Sequence, residues 1–256
     1  MTTIARLDDY HPSPGLLHDR IVLITGAGDG IGAALARAAA GVGATVVLLG
    51  RTTAKLEAVY DDIVAAGSPQ PGIFVMDLAS AGPEQYDQLG QAIADTYGRV
   101  DGLVHNAGIL GERTPIEHYD VATWQRVLHV NLTAPFVLTR TLFPFLRESE
   151  DASVIFTSSG VGRQGRAFWG AYAVSKFATE GLMETLADEV GSGQHLRFNA
   201  VNPGATRTAM RAQAYPAEDP ATLRTPAEIL GTYLYLLGPD SREENGRSFD
   251  AQPPAS

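Results

Sequence analysis

Six short apolar runs, each followed by a longer segment with helical spacing, constrain the fold of this 256-residue chain more than any other feature. The runs are rich in Val, Ile and Leu and do not alternate with polar residues. That pattern is typical of strands buried on both faces of a parallel sheet. The runs are IVLIT (21–25), TVVLLG (45–50), GIFVMD (72–77), VDGLVH (100–105), SVIFTS (153–158) and LRFNAVN (196–202). The alternation predicts a doubly wound α/β fold.

The segments between the runs predict helices, most of which are closed by Gly. They cover residues 31–44, 52–67, 83–98, 121–148 and 170–191. A further helix is expected to start near Thr225, because TPAEILGTYLYLLG has an N-cap Thr, a Pro in the first position and a Glu three residues after the cap. There is no repeat or linker-like break, so residues 1–256 are expected to form one domain. Residues 1–18 would be a loose N-terminal arm and 251–256 a tail.

Composition excludes several classes of function. Lys and Arg total 19 against 29 Asp and Glu, a net charge of −10, which disfavours binding to nucleic acid or anionic lipid. The chain has no Cys, so disulfides, thiolate metal sites and cysteine nucleophiles are excluded. Its six His show no metal-ligand spacing, and no metal is expected. The first twenty residues lack a signal-peptide pattern, and no apolar run reaches the ~18 residues of a membrane helix, so a cytoplasmic protein is expected.

A glycine loop, TGAGDGIG (25–32), follows the first predicted strand directly. Glycines at 26, 30 and 32 permit a tight turn, close approach to a pyrophosphate and close helix packing, and the helix N-terminus supplies N–H donors. A merely flexible turn is the alternative. The position after the first strand favours dinucleotide binding, and the absence of Lys after Gly30 excludes a P-loop.

The residue after the second strand bears on which dinucleotide binds. An acidic residue there would hold the ribose hydroxyls of NAD, whereas this chain has Arg51. A guanidinium can grip a 2′-phosphate with charge-assisted bonds, and Thr52 and Lys55 are placed to assist. An Arg that only caps its surroundings is the alternative. NADP(H) is therefore favoured over NAD(H).

Five motifs in a fixed order carry a resemblance to a known family: TGAGDGIG (25–32), HNAG (105–108), SS (158–159), YAVSK (172–176) and NPG (202–204). From about Arg20 to Asp250 the chain resembles the short-chain dehydrogenase/reductase family. The resemblance implies a Rossmann three-layer sandwich with a mostly parallel, about seven-stranded sheet. Longer segments, such as FTSSGVGRQGRAFWGAYAVSKFATEG, resemble one gamma-proteobacterial subgroup that is defined by sequence and not by a known substrate.

The resemblance implies a catalytic group of Asn131, Ser159, Tyr172 and Lys176. Alone, a Tyr and a Lys four residues apart would be an ordinary surface pair on a helix. In the family the Tyr is the general acid/base, the Lys lowers the pKa of the phenol and holds the nicotinamide ribose, and the Ser donates a hydrogen bond to the substrate oxygen. The Asn bends its helix and holds a water. Ser159 is favoured over Ser158 because it lies thirteen residues before Tyr172.

The same resemblance implies a set of cofactor contacts: Gly26, Gly28, Asp29, Gly30, Ile31, Arg51, Asp77, Leu78, Asn106, Ala107, Gly108, Tyr172, Lys176, Pro203, Gly204, Thr206 and Thr208. Some have structural alternatives: Asp77 as an N-cap, Asn106 as a turn residue and Thr208 as a helix cap. Asp29 departs from the pattern of NADP-preferring relatives, since a carboxylate that pointed inward would repel a 2′-phosphate. His105 is interpreted as a feature of the fold without a proton role.

The expected function is an NADP(H)-dependent oxidoreductase that interconverts a small-molecule alcohol and carbonyl. A catalytically idle NADP(H)-binding or sensor protein is the alternative, and the chain is short for the related epimerases or dehydratases. A homodimer or homotetramer is expected through the helices that contain Asn131 and Tyr172.

Substrate specificity is expected in residues 160–170 and in a mobile flap formed by 205–224. Two side-chain sets there are ambiguous. The first set is expected either to line an apolar pocket or only to pack against neighbours: Phe168, Trp169, Met210 and Tyr215. The second set is expected either to attract an anionic substrate or only to lie on the surface: Arg163, Arg166, Arg207 and Arg211.

Overall fold

A seven-stranded sheet forms the centre of the protein. The computed structural model describes residues 10–191 and 195–253. The strands are β1 (Ile21–Thr25), β2 (Thr45–Gly50), β3 (Gly72–Val75), β4 (Gly102–His105), β5 (Ala152–Thr157), β6 (Leu196–Asn202) and β7 (Arg247–Asp250). Their order is β3-β2-β1-β4-β5-β6-β7, and every neighbouring pair is parallel. The predicted Rossmann-like α/β architecture is confirmed.

Helices cover both faces of this sheet. They are α1 (Gly30–Gly41), α2 (Thr53–Ala65), α3 (Pro83–Thr96), α4 (Val121–Leu128), α5 (Ala134–Arg147), α6 (Gly170–Val190), α7 (Ala209–Ala214) and α8 (Gly231–Leu237). One apolar core joins the sheet to α1, α2 and α8, and a second joins it to α3, α5 and α6. Within the described ranges, no helix combines the length and apolar character needed to cross a membrane. The cytoplasmic location stays a prediction.

The sheet order places a crevice at the carboxyl edge of the strands. The connection from β1 runs outward to β2 and β3, and the chain then returns to the other side of β1 to form β4. Loops leaving β1 and β4 therefore diverge to opposite faces, and ligands of open α/β sheets bind at such a point.

The long helix predicted over 121–148 is two helices joined by a π-helical stretch, His129–Thr133. Pro135 has no N–H and cannot donate to the carbonyl four residues before it, that of Asn131. The Ala134 N–H instead bonds to the His129 carbonyl, five residues back.

The predicted capping box at Thr225 is present, with Glu228 accepting the Thr225 N–H at 2.7 Å. It opens a 3₁₀ turn, Pro226–Ile229, which α8 follows after one residue.

The described parts of the predicted arm and tail are not loose. Leu17 is fully buried, and Tyr10 packs edge-on against Tyr235 while its hydroxyl donates to Asp240. Ala251 is buried as well. Residues 10–18 and 251–253 are therefore part of the domain, because their apolar side chains complete the core on the α8 side. Residues 1–9 and 254–256 lie outside the described ranges.

A buried ionic cluster closes the opposite, amino end of the sheet. Asp151 pairs with Arg20 at 2.9 Å, with the nearly inaccessible Arg197, and with Arg242 at 3.6 Å. Burial by itself raises the pKa of Asp151, but the charges and hydrogen bonds of Arg197 and Arg20 outweigh it and hold the pKa below its ordinary value. The carboxylate thus compensates the charge of Arg197, whose side chain is only 3% exposed.

We expect Asp151→Asn to lower the free energy of unfolding at pH 7 by about 3–5 kcal/mol, because it leaves the Arg197 charge buried without its partner. A lowered folded-state pKa stabilises the protein above the unfolded-state value and stops doing so as the pH falls through the folded value. The difference between the two proteins should therefore shrink below about pH 4. Urea unfolding across pH measures it, with the exposed Asp188→Asn as control. Equal stabilities at pH 7 would contradict this role.

Candidate active site

The carboxyl edge of the sheet opens on a cleft of about 730 Å³. All the residues predicted to contact the cofactor line it, from Gly26 in the first loop to Thr208 at the start of α7. Ser159, Tyr172 and Lys176 line it too. Asn131 does not, and lies behind the wall of the cleft. The structure thus brings the predicted site residues together from the ends of six strands, from α6 and from the π-helical stretch.

The glycine loop after β1 forms a cradle that side chains would fill. Gly26 has a φ of +67°, in the left-handed region that favours glycine. A Cβ on Gly32 would lie 2.6 Å from Asn106 Nδ2. The Thr25 hydroxyl accepts the N–H groups of Asn106 and Ala107, both at 3.0 Å, and so ties this loop to the one after β4. These close approaches pack the two loops together at the N-terminus of α1, where the phosphates of a dinucleotide would bind.

Asp29 is held by two partners. As the N-cap of α1 it accepts the Gly30 N–H at 2.7 Å, and its other oxygen pairs with Lys55 Nζ at 2.5 Å. The hydrogen bond from Lys55 is the largest cause of a lowered Asp29 pKa. The charge that was expected to oppose a 2′-phosphate is therefore balanced, and Lys55 is engaged with Asp29 instead of standing free. Arg51 is exposed at the cleft, and no hydrogen bond or ion pair engages its guanidinium in the described parts of the chain.

Ser159 and Tyr172 meet in the middle of the cleft. Ser159 follows β5 and Tyr172 lies in the first turn of α6, and the Ser159 hydroxyl lies close enough to the phenol to oppose the effect of burial on its pKa. The neighbouring Ser158 is buried, and its hydroxyl has no hydrogen-bond partner among the residues that the structure describes. The preference for Ser159 therefore rests on its effect on Tyr172 as well as on spacing.

Burial dominates the electrostatics of the pair on α6. It raises the pKa of Tyr172 to about 12, an effect that the Ser159 hydroxyl only partly opposes. It lowers the pKa of Lys176 to about 8, against the influence of Glu180. The Lys176 ammonium donates to the Thr157 carbonyl at 2.6 Å and lies 5.6 Å from the centre of the Tyr172 ring. The expectation that Lys176 lowers the phenol pKa stays a prediction.

Asn131 joins three segments through its side chain. Its Oδ1 accepts the Ile109 N–H at 2.9 Å, and its Nδ2 donates to the Ile109 carbonyl and to Ser175 Oγ, both at 3.0 Å. Ser175 in turn donates to the Tyr172 carbonyl at 2.7 Å. Asn131 thus positions the turn of α6 that carries the Tyr and Lys. The water expected on Asn131 stays a prediction.

A polar network that the sequence did not reveal fixes the turn after β6. Arg163 pairs with Glu180 of α6 at 3.2 Å and with Asp250 of β7 at 2.9 Å, and Asn202 donates to Asp250 at 2.8 Å. Arg163 is therefore a structural clamp and not an anion site. No motif marked this role, because its partners are 17 and 87 residues away in sequence.

Gln252, which was assigned to the tail, also holds the turn after β6 by hydrogen bonds. Its amide donates to the Pro203 carbonyl at 2.7 Å, the Ala205 carbonyl at 3.0 Å and Thr206 Oγ1 at 3.1 Å. Thr208 adopts its structural alternative, since its hydroxyl accepts the Arg211 N–H at 3.2 Å and caps α7.

In the two segments predicted to contact the substrate, some apolar side chains form a wall of the cleft, and some arginines have partners within the protein. Trp169 is buried and lines the cleft with Met210, whereas Phe168 is exposed at a φ of +71° and lies outside the lining. Tyr215 packs on Trp169, with ring centres 5.9 Å apart. Of the remaining arginines, Arg211 is bound by Glu218, Arg207 donates to a backbone carbonyl and Arg166 is exposed.

His105 is buried beneath the site, where burial and the charge of Lys176 lower its pKa to about 3. Its ring stacks on Phe156, and Nε2 lies 2.8 Å from Thr139 Oγ1. A neutral, packed imidazole agrees with the interpretation of His105 as a feature of the fold.

Known proteins share this sequence and architecture. Residues 20–219 match the short chain dehydrogenase family. The oxidoreductase YciK of Escherichia coli K12 is 53% identical over 244 residues, which are 95% of this chain and 96% of YciK, so the predicted subgroup resemblance is confirmed. A Pseudomonas syringae short chain dehydrogenase structure has a TM-score of 0.94 at 56% identity, covering 95% of this chain and 99% of that one. A structure from Escherichia coli CFT073, in complex with NADPH, has a TM-score of 0.91 at 54% identity, with coverages of 94% and 100%. The chain belongs to the short-chain dehydrogenase family of oxidoreductases.

Proposed function

We propose that this protein is an NADP(H)-dependent oxidoreductase that interconverts an alcohol and a carbonyl, with Tyr172 as the general acid/base. One observation carries the proposal: Ser159, Tyr172 and Lys176 line the same cleft as the glycine cradle, with the Ser159 hydroxyl near enough to the phenol to act on its pKa. Two adjoining hydroxyls can hold one carbonyl oxygen and supply a proton to it.

The protonation states favour carbonyl reduction. A phenol whose pKa is raised to about 12 keeps its proton at neutral pH, so Tyr172 is an acid ready to protonate a developing alkoxide. Ser159 would donate a hydrogen bond to the same oxygen and stabilise its charge in the transition state. When bound, NADPH supplies the hydride. Lys176, one helical turn from Tyr172, would hold the nicotinamide ribose and place its positive charge near the phenol.

The choice of NADP(H) rests on Arg51. Among the described residues, no hydrogen bond or ion pair engages its guanidinium at the end of β2, while Asp29, which was expected to repel the phosphate, is paired with Lys55. The NADPH complex of the 54%-identical relative supports the same assignment. Asp77 and Leu78 would meet the adenine, and the turn formed by Asn106, Ala107 and Gly108 would lie under the adenosine ribose.

A catalytically idle NADP(H)-binding protein is the second candidate. Such a protein would need the cradle and Arg51, but it would have no need for a Ser and a Tyr side by side near a Lys. The presence of Ser159, Tyr172 and Lys176 in one cleft therefore favours the enzyme.

We also propose that the chain forms a homodimer or homotetramer through α4, α5 and α6. These helices carry exposed apolar side chains: Val121, Phe136, Val174 and Phe177. Exposed apolar side chains on adjoining helices are typical of self-association surfaces. Light scattering should give two or four times 27.2 kDa. Phe136→Asp should reduce that mass, and Phe168→Asp, at an exposed loop position, should not. A monomeric unmodified protein would contradict the proposal.

Tyr172→Phe should lower kcat for any carbonyl substrate by at least about 100-fold, because it removes the proton donor. NADPH binding, measured by nucleotide fluorescence, should stay within about twofold, since no phosphate contact is lost. Tyr60→Phe, on the surface of α2, serves as control. A fully active Tyr172→Phe enzyme would refute the assignment of the general acid.

Arg51→Ala should weaken NADPH binding by about 10- to 100-fold, the equivalent of a charged hydrogen bond of about 1.5–3 kcal/mol. NADH binding should change little, because NADH has no 2′-phosphate. Titration of both nucleotides measures the two effects, and Arg140→Ala, outside the cleft, is the matched control. Equal losses for NADPH and NADH would show that Arg51 does not read the phosphate.

A further inference from the structure

The wall of the cleft beside Tyr172 is apolar. Tyr172 belongs to a small buried cluster separate from the two main cores; its other members are Leu110, Val161, Trp169, Ala173 and Ala214. Met210 and Tyr215 pack against this cluster. The Trp169 and Tyr172 rings are 5.7 Å apart at a tilt of 47°. Any group attached to the reacting carbon on this side therefore meets hydrocarbon and aromatic surface.

The charges next to this wall are neutralised or screened. Arg211 lines the cleft, but its Nε and Nη2 donate to both oxygens of Glu218 at 2.6 Å each. Its guanidinium also lies over the Tyr215 ring, 3.9 Å from the ring centre. Both side chains of this pair are about a quarter exposed, so the carboxylate offsets the guanidinium charge at the mouth of the cleft.

Arg113 lies nearby but does not line the cleft. Its guanidinium lies over the rings of Trp169 and Tyr215, at 4.7 and 4.9 Å, and it donates to the Ala214 carbonyl. Cation–π contacts thus hold the Arg113 guanidinium against the aromatic rings, outside the lining of the cleft. Of the two arginines, only Arg211 lines the cleft, and its guanidinium is occupied by Glu218.

We propose that the substrate is a neutral carbonyl compound with an apolar group of aromatic size, and that Glu218 excludes anionic analogues by occupying Arg211. The proposal rests on the function proposed above and adds the substrate class. A carboxylate placed against this wall would lose its water without gaining a partner, which is costly. An apolar ring would instead be stabilised by contact with Trp169 and Leu110.

Besides Arg51 and Arg211, the cleft lining contains one further arginine among the described residues, Arg126. Arg126 is exposed on α4, and no residue of α4 belongs to the apolar cluster around Tyr172. Binding of an anion to Arg126 would show as a preference for the anionic probe in the test below.

Acetophenone and its carboxylate, 4-acetylbenzoate, test the proposal without requiring turnover. Binding of each to the protein saturated with NADP⁺ is followed by quenching of tryptophan fluorescence, because Trp169 lies in the wall. We expect acetophenone to bind at least about tenfold more tightly, a difference of about 1.4 kcal/mol. Equal or tighter binding of the carboxylate, or no binding of either probe at its solubility limit, would overturn the proposal.

The variant Glu218→Gln tests the role of the ion pair. It frees the Arg211 guanidinium, so 4-acetylbenzoate should bind about five- to tenfold more tightly and acetophenone should be nearly unchanged. Glu184→Gln removes the same charge from an exposed site on α6 and should leave both affinities as they are. A probe ratio unchanged in Glu218→Gln would refute the exclusion mechanism.

A separate assay distinguishes this proposal from the proposed function. NADPH oxidation with neutral ketones and aldehydes reports whether the site catalyses reduction at all. Turnover with a preference for carboxylates would leave the oxidoreductase in place and refute the substrate class. Selective binding of the neutral probe without any turnover would support the substrate class and refute the catalytic function.

Discussion

The missing N–H of Pro135 is the constraint on which the arrangement of the site depends. It leaves the Asn131 carbonyl without its helical donor. The Thr179 hydroxyl on α6 lies 3.3 Å from that carbonyl and 2.8 Å from the Ser175 carbonyl, so it stands between the two segments. The π-helical stretch that results turns the Asn131 amide toward the loop after β4 and toward Ser175. An interruption in one helix thereby fixes the height and rotation of α6, and with it Tyr172 and Lys176.

Burial is the second organising effect, and it acts on the two titratable groups of α6 in opposite directions. The charged form is disfavoured in each case, so the pKa of Tyr172 rises and that of Lys176 falls. The two groups stand on one helical face, four residues apart. A neutral phenol next to an ammonium bound to a strand carbonyl is the resting state of this site, and it suits donation of a proton better than its removal.

The sequence predicted those features that depend on residue type over a short stretch, such as buried strands and turns. The bounds of β1, β2 and β6 agree with the apolar runs, because strands buried on both faces must be apolar throughout. It did not locate β7 at the edge of the sheet, because three of its four residues, RSFD, are polar. It also placed Gln252 in a tail and Arg163 among anion-site candidates, because their partners come from distant segments.

The sequence by itself determined the doubly wound sheet, the glycine cradle and the order of the Asn, Ser, Tyr and Lys motifs. Each of these depends on residue type at a short spacing. Only the tertiary structure decided which charges are free. Asp29 is paired with Lys55, Arg211 with Glu218 and Arg163 with Glu180 and Asp250, whereas Arg51 stands open to the cleft. The physical reason is that a charged side chain can bind a ligand only if no oppositely charged group within a few ångströms already pairs with it. For most of these pairs the partner comes from another element of the fold.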